Sequence, residues 1–273
     1  MKSGAGWPLP SLGECAAAIL ACPDAARKAA LARDAAEAWR AGGIEAFGAE
    51  PPPMPERPGR PERPRLLPPR DVPKRPLSSP QGRIALLHAL AHIELNAIDL
   101  AWDLIGRFGR EIGERAFFDD WTRVGGEEGL HFGMLEARLN ELGAHYGALD
   151  AHDGLWQAAA DTAHDALARL AVVPLVLEAR GLDVSPGMIG RLRGAGDAAS
   201  ADILRRIYED EIGHVSVGMR WFAHVAHERG AEPRTAFHAC IRRHFRGKLK
   251  PPFNHAARRH AGLLPDFYEP LSG

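Results

Sequence analysis

Two tetrapeptides of the form Glu-x-x-His, Glu128-Gly129-Leu130-His131 and Glu211-Ile212-Gly213-His214, are the residues of this chain best suited to chemistry. On a helix, positions i and i+3 share a face, so each pair aims a carboxylate and an imidazole in one direction. One such pair carries little weight among 13 histidines, and the case rests on what surrounds the two. Trp121, Val124, Phe132, Leu135, Leu139 and Leu142 form an apolar stripe around the first, and Leu204, Ile207, Val215, Trp221 and Phe222 around the second. A carboxylate and an imidazole inside an apolar stripe are costly unless paired or bound to a metal. Glu94 interrupts a third stripe (Leu87, Leu90, Ala91, Ile98, Ala101, Ile105), and Glu178 ends a fourth (Leu167, Leu170, Ala171, Leu175). Glu94 precedes Glu128 by 34 residues and Glu178 precedes Glu211 by 33, so two helical hairpins each present Glu and then Glu-x-x-His. Four buried carboxylates carry a charge that two divalent cations cancel, and without metal the cluster is expected to be partly protonated and destabilising. Carboxylate oxygen with imidazole nitrogen suits Fe, or Mn, over a thiolate-preferring metal. The six expected ligands are Glu94, Glu128, His131, Glu178, Glu211 and His214.

Further residues are expected to support the site. Glu127 and Asp210 precede the two motif glutamates and are placed to hydrogen-bond a ligand histidine. Tyr208 lies one turn before Glu211 on the same face. His92 shares another face of the first long helix with His88 and Asp99, where exposed or capping roles are expected, and it is the residue most able to replace Glu94. Pro174, one turn before Glu178, should kink its helix beside the site. Gly125, Gly126, Gly129 and Gly133 crowd the first Glu-x-x-His, which calls for close helix approach or a local bulge.

The elements that must position these groups are helices. Residues 15–41 read as two short helices interrupted at Pro23 and closed by Gly42-Gly43. From Pro51 to Pro80 there are twelve prolines in thirty residues, which excludes a helix or central strand. That segment is either a disordered linker or a strap held by Leu66, Leu67 and Val72. Long helices are expected from Ser79 (N-cap) and Pro80 to about Gly109, from Glu114 to Leu142, from Asp153-Gly154 to Arg180-Gly181, and from Ala198 to Arg229. A short helix is expected at Met188–Leu192 and another at Pro233–Phe245. No period-two strand pattern is present, and long helices on short loops imply an all-α antiparallel four-helix bundle. The expected organisation is an N-terminal helical segment (1–50), a proline-rich strap or linker (51–80), the bundle (81–230) and a basic C-terminal extension packed on it (231–273).

Composition is that of an ordinary globular chain, 45% hydrophobic and 25% charged. The net charge of −1 hides an uneven distribution. Residues 233–265 hold eight Lys/Arg and no acid, and residues 51–80 hold seven basic residues against three acidic ones. The remainder therefore carries about −13. Three cysteines, Cys15, Cys22 and Cys240, make no paired-thiol motif. With no signal-type apolar stretch and no uninterrupted run approaching a membrane span, a cytoplasmic protein is expected, with no membrane partner. It is expected to be a monomer or small homo-oligomer.

Several segments also resemble an uncharacterised bacterial family of the ferritin-like superfamily. They are RPGRPERPRLLPPRDVPKR (57–75), HALAHIELNAIDLAWDL (88–104), FFDDWTRVGGEEGLHFGMLEARL (117–139), AHDGLWQAAADTAHDALARLAVVPLVLEARGLDVSP (151–186), DEIGHVSVGMRWF (210–222), LKPPFN (249–254) and the ending at 264–271. The resemblance implies a ferritin-like bundle and the same six ligand positions, and it is distantly similar to the tRNA-modifying di-iron hydroxylases. Where such sequences read Asp-Glu-Ala-Arg-His, this chain reads Glu127-Glu128-Gly129-Leu130-His131, keeping the ligands and lacking the arginine. The leading expectation is a di-iron oxidoreductase, an O2-dependent hydroxylase of unknown substrate served by an unknown electron donor. The alternatives are ferroxidase, iron-handling or peroxide-scavenging activity, and an RNA-modifying or RNA-binding protein. The last rests on the basic tail between Arg234 and Arg259.

Overall fold

The computed structural model describes residues 7–48, 50, 52–68, 71 and 76–273. All its regular elements are helical, with no strand among the described residues. The chain divides into two compact units, Met1–Trp156 and Gln157–Gly273.

In the first unit, α1 (Leu12–Ala21) is capped by Ser11 and α2 (Ala25–Arg40) by Asp24, with Pro23 between them as expected. Helix α3 (Pro80–Ile112) begins where Ser79 accepts a hydrogen bond from the Gly82 N–H and proline occupies the first turn. It runs past the expected stop at Gly109. The Phe118 ring lies where a Cβ on Gly109 would stand, so that glycine serves packing, and the left-handed terminator is Gly113 (φ 72°). Helix α4 (Arg115–Glu141) follows and packs against both α3 and α2. Helix α3 is long and apolar enough to cross a membrane by length and composition, yet 67% of its most apolar window is buried, as in a core helix.

The proline-rich segment is a strap over α1, α2 and α3, and its anchors are polar. The Gly59 N–H donates to the Leu20 carbonyl at 2.7 Å, Arg107 donates to the Pro55 carbonyl, and Arg65 grips Asp150 through two nitrogens. Arg60 pairs with Asp99 and donates to Asn96 Oδ1 at 2.6 Å. Lys28, fully buried on α2, reaches Asp99 at 2.6 Å and the Gly59 carbonyl at 2.9 Å. The expected apolar anchors do not do this work: Leu66 is 40% exposed, Leu67 is half-buried, and Val72 lies outside the described residues.

In the second unit the expected third long helix is broken. Helix α5 (Gly154–Asp161), which begins just before the division, stops at Thr162, and Asp165 caps α6 (Ala166–Val172). The buried Arg169 explains the break, because its Nη2 donates to the Ala159 carbonyl at 2.6 Å at the end of α5 and its Nε donates to Thr162. A π-helical turn, Val173–Glu178, then leads into α7 (Ala179–Gly194). Helix α7 continues through Gly181 and Pro186, so residues 188–192 lie inside it and form no separate helix. Helix α8 (Ala198–Glu228) packs along α7 and the π turn, and α9 (Pro233–His244) follows as expected. Two short helices not foreseen, α10 (His255–His260) and α11 (Pro265–Tyr268), close the chain. The basic tail finds acids elsewhere in this unit: Arg258 holds Asp183 through two nitrogens, and Arg234 pairs with Asp266 at 3.0 Å.

Candidate metal centre

Each unit carries one Glu-x-x-His on a long helix, with the same local geometry. In the first, Glu128 and His131 lie on the buried face of α4, and Glu94 lies on α3. His131 Nδ1 stands 3.2 Å from Glu94 Oε2 and 3.4 Å from Glu128 Oε2. These three residues are at most 4% exposed, and each offers a ligand atom within 4.8 Å of the others. In the second unit, His214 Nδ1 stands 3.4 Å from Glu211 Oε1, and His214 is fully buried. Glu178 ends the π turn. A Cβ on Gly218 would lie 2.4 Å from Pro174, so α8 and the π turn touch there. The distortion expected at Pro174, one turn before Glu178, takes the form of a π turn.

Burial and the neighbouring Glu128 charge both push the Glu94 carboxyl well above the usual carboxylate range. Burial opposes a charge on His131, but hydrogen bonds and charge from Glu128 and Glu94 outweigh it and raise the imidazole to about 11. A metal-free cluster of this kind must hold protons, and cations would displace them. The donors fit hard or borderline metal ions, being oxygen and nitrogen only, and Glu211 Oε2 is buried with no hydrogen-bond partner among the described residues. The group in the first unit could therefore hold a metal ion.

The expected supporting residues make the following contacts, and Glu127 and Asp210 have other interactions besides. Glu127 accepts from Arg123 at 2.8 Å and Asp210 from Arg206 at 2.7 Å, both i,i+4 pairs on partly exposed faces. Tyr208 turns its hydroxyl to Asn254 Nδ2 at 3.0 Å, toward the C-terminal segment. His92 lies 2.8 Å from the Tyr146 hydroxyl through Nδ1 and 2.9 Å from the His152 carbonyl through Nε2, so both ring nitrogens are engaged away from Glu94. Neither His88, His92 nor Asp99 is exposed. The contact of Asp99 with Lys28 and Arg60 was missed because it joins residues 71 and 39 positions apart, beyond any local spacing signal. The glycines around Glu128 serve close approach. A Cβ would meet Trp102 at Gly125, Ala36 at Gly126 and the Ala29 carbonyl at Gly129, whereas Gly133 has open space and nothing in the structure explains it.

Fold and site define an all-helical protein with a buried carboxylate–imidazole group able to hold a metal ion. The chain belongs to the family described as "Protein of unknown function (DUF455)", whose model matches residues 21–269. An uncharacterised protein of Haemophilus influenzae (strain ATCC 51907 / DSM 11121 / KW20 / Rd) is 44% identical over 208 residues, covering 74% of this chain and 72% of the relative. No solved structure matches the chain.

Proposed function

We propose that Glu94, Glu128 and His131 from one unit, with Glu178, Glu211 and His214 from the other, hold two metal ions, and that the protein is a di-iron oxidoreductase acting with O2 on an organic substrate. The observation that carries this reading is the duplication. Two long helices, α4 and α8, each carry a Glu-x-x-His with a buried imidazole whose Nδ1 lies 3.4 Å from its own motif carboxylate. A further glutamate belongs to each set, Glu94 on α3 and Glu178 at the end of the π turn. Four glutamates and two histidines make the donor set of carboxylate-bridged di-iron and di-manganese bundles, and joining them makes the fold a ferritin-like four-helix bundle. Bound iron supplies electrons for the reduction of O2. The chain's own contribution is to orient and exclude. His131 is fixed by Glu94 and Glu128, and Trp121, Val124, Phe132 and Leu135 keep bulk water from that level of α4.

Protein purified anaerobically should carry about two metal ions per chain, by analogy with such sites, and in the ferrous form should consume O2. Glu128→Ala and His214→Ala should each lose metal and O2 uptake while remaining helical by circular dichroism. A metal-free wild type under gentle handling, or variants indistinguishable from it, would sink the proposal.

A further inference from the structure

Against the π turn the second unit has a cavity of about 220 Å³ whose wall includes Val176 and Leu177. Four cations line it, Arg180, Lys248, Lys250 and Arg258, against one acid, Asp183, leaving an excess of three positive charges. Arg258 is 3% exposed and spends Nε and Nη2 on Asp183, at 2.8 and 2.7 Å. Its Nη1 is buried and has no hydrogen-bond partner among the described residues. A buried guanidinium N–H left unmade costs stability unless a ligand accepts from it. The plane of that guanidinium is held by stacking over Phe253 (5.1 Å) and Tyr268 (4.6 Å). Arg180 pins the loop that carries the lysines, donating to the Lys250 carbonyl at 2.7 Å. The rest of the wall is apolar, formed by Val176, Leu177, Phe245, Leu249 and Phe253. A fixed, unsatisfied donor, two ammonium groups on exposed lysines and an apolar wall are the parts of a receptor for an anion with a hydrocarbon body.

We propose that this cavity binds a small organic anion, a carboxylate or phosphate monoester carrying an apolar group. The π turn carries both the cavity wall, at residues 176 and 177, and the proposed metal ligand, at 178, and we take the bound anion as the substrate of the metal site. That last identification rests on the metal reading; the binding site itself does not.

The test is calorimetric titration of the full chain, with and without EDTA treatment, using phenyl phosphate and hexanoate as probes and benzyl alcohol, hexanol and inorganic phosphate as controls. Saturable binding of at least one anionic probe is expected, with the neutral and purely inorganic controls weaker by about tenfold or more. Lys248→Ala/Lys250→Ala, at exposed positions, should weaken the anionic probe by about tenfold and leave metal content unchanged. Equal binding of the neutral analogues, or unchanged binding in the double variant, would overturn the proposal. So would binding that disappears on EDTA treatment, since the anion would then sit on the metal. Displacement of phenyl phosphate by an RNA oligomer, with a steep salt dependence, would assign the cations to nucleic acid and overturn it as well. A chain that binds the probe but never holds metal would leave the anion site standing and remove the substrate role.

Discussion

At His88, Nε2 accepts from the Gly147 N–H at 2.9 Å and sits 3.4 Å from the Leu149 N–H, so this nitrogen must keep its lone pair. Burial, with some repulsion from His145, lowers the imidazole from 6.5 to about 4. His92 is lowered to about 4 as well, chiefly by burial. A histidine whose folded pKa lies below its unfolded value binds fewer protons folded than unfolded. Its contribution is therefore intact above pH 6.5 and is lost as pH falls from 6.5 toward 4. For His88 the loss reaches at most about 3 kcal/mol over that window. His88→Gln, which keeps an acceptor in reach of residues 147 and 149, should flatten part of the fall in thermal midpoint between pH 6.5 and 4. If variant and wild type fall in parallel, His88 is not responsible. The signal is partly visible in the sequence, where His88, His92 and Asp99 share a helix face. Their burial was not visible, because the groups that cover them, Tyr146, the His152 carbonyl and Lys28, come from distant segments.

Among the elements, α4 shows how one residue type carries two meanings. At Gly129 a Cβ would lie 2.7 Å from the Ala29 carbonyl oxygen, which is backbone and cannot rotate away, so α2 would have to move off α4. At Gly133 nothing lies within 4 Å and the position is exposed. Alanine gains about 1 kcal/mol of helix propensity over glycine at either site. At Gly129 that gain is outweighed by overpacking, typically about 1–3 kcal/mol. Chemical denaturation should therefore show Gly133→Ala stabilised by about 0.5–1 kcal/mol and Gly129→Ala destabilised, with its unfolding slope unchanged. Stabilisation at both positions would mean that α2 does not pack as described. Helix existence, the cap at Ser79 and the stop at Leu142 follow from rules local in sequence, so α1 to α4, α8 and α9 were legible to within a turn, α3 running on from the expected Gly109 to Ile112. The third helix was not. Its apolar stripe continues across Asp165, and neither the Asp165 cap, the Arg169 bridge to Ala159 nor the shift from α to π spacing at Pro174 alters that stripe. The strap was legible as extended chain, and as one of two readings a bound one, but its polar anchors were not, because Arg60 and Lys28 find Asp99 only through tertiary contact.

For the whole molecule, the proposed site has a consequence that neither unit has alone. Each unit owns three donors, two carboxylates and one imidazole, and three donors leave a six-coordinate ion half-served by protein. If both ions are shared, metal binding is linked to the folding of both units, because either unit unfolded removes half the ligands. Linkage adds RT ln(1 + [L]/Kd), about 2.7 kcal/mol at a hundredfold excess over Kd. That stabilisation should reach α3 and α4 as well as α8. Hydrogen exchange followed with and without Fe(II) or Mn(II), under anaerobic conditions, reads it element by element. Metal should slow exchange around Glu94 and Glu128 and around Glu211 together. Glu178→Ala, a change confined to the second unit, should remove much of the metal-dependent protection in α3 of the first. If that protection survives Glu178→Ala, the three donors Glu94, Glu128 and His131 hold their ion unaided, and the protein has a one-unit metal site in place of a shared pair.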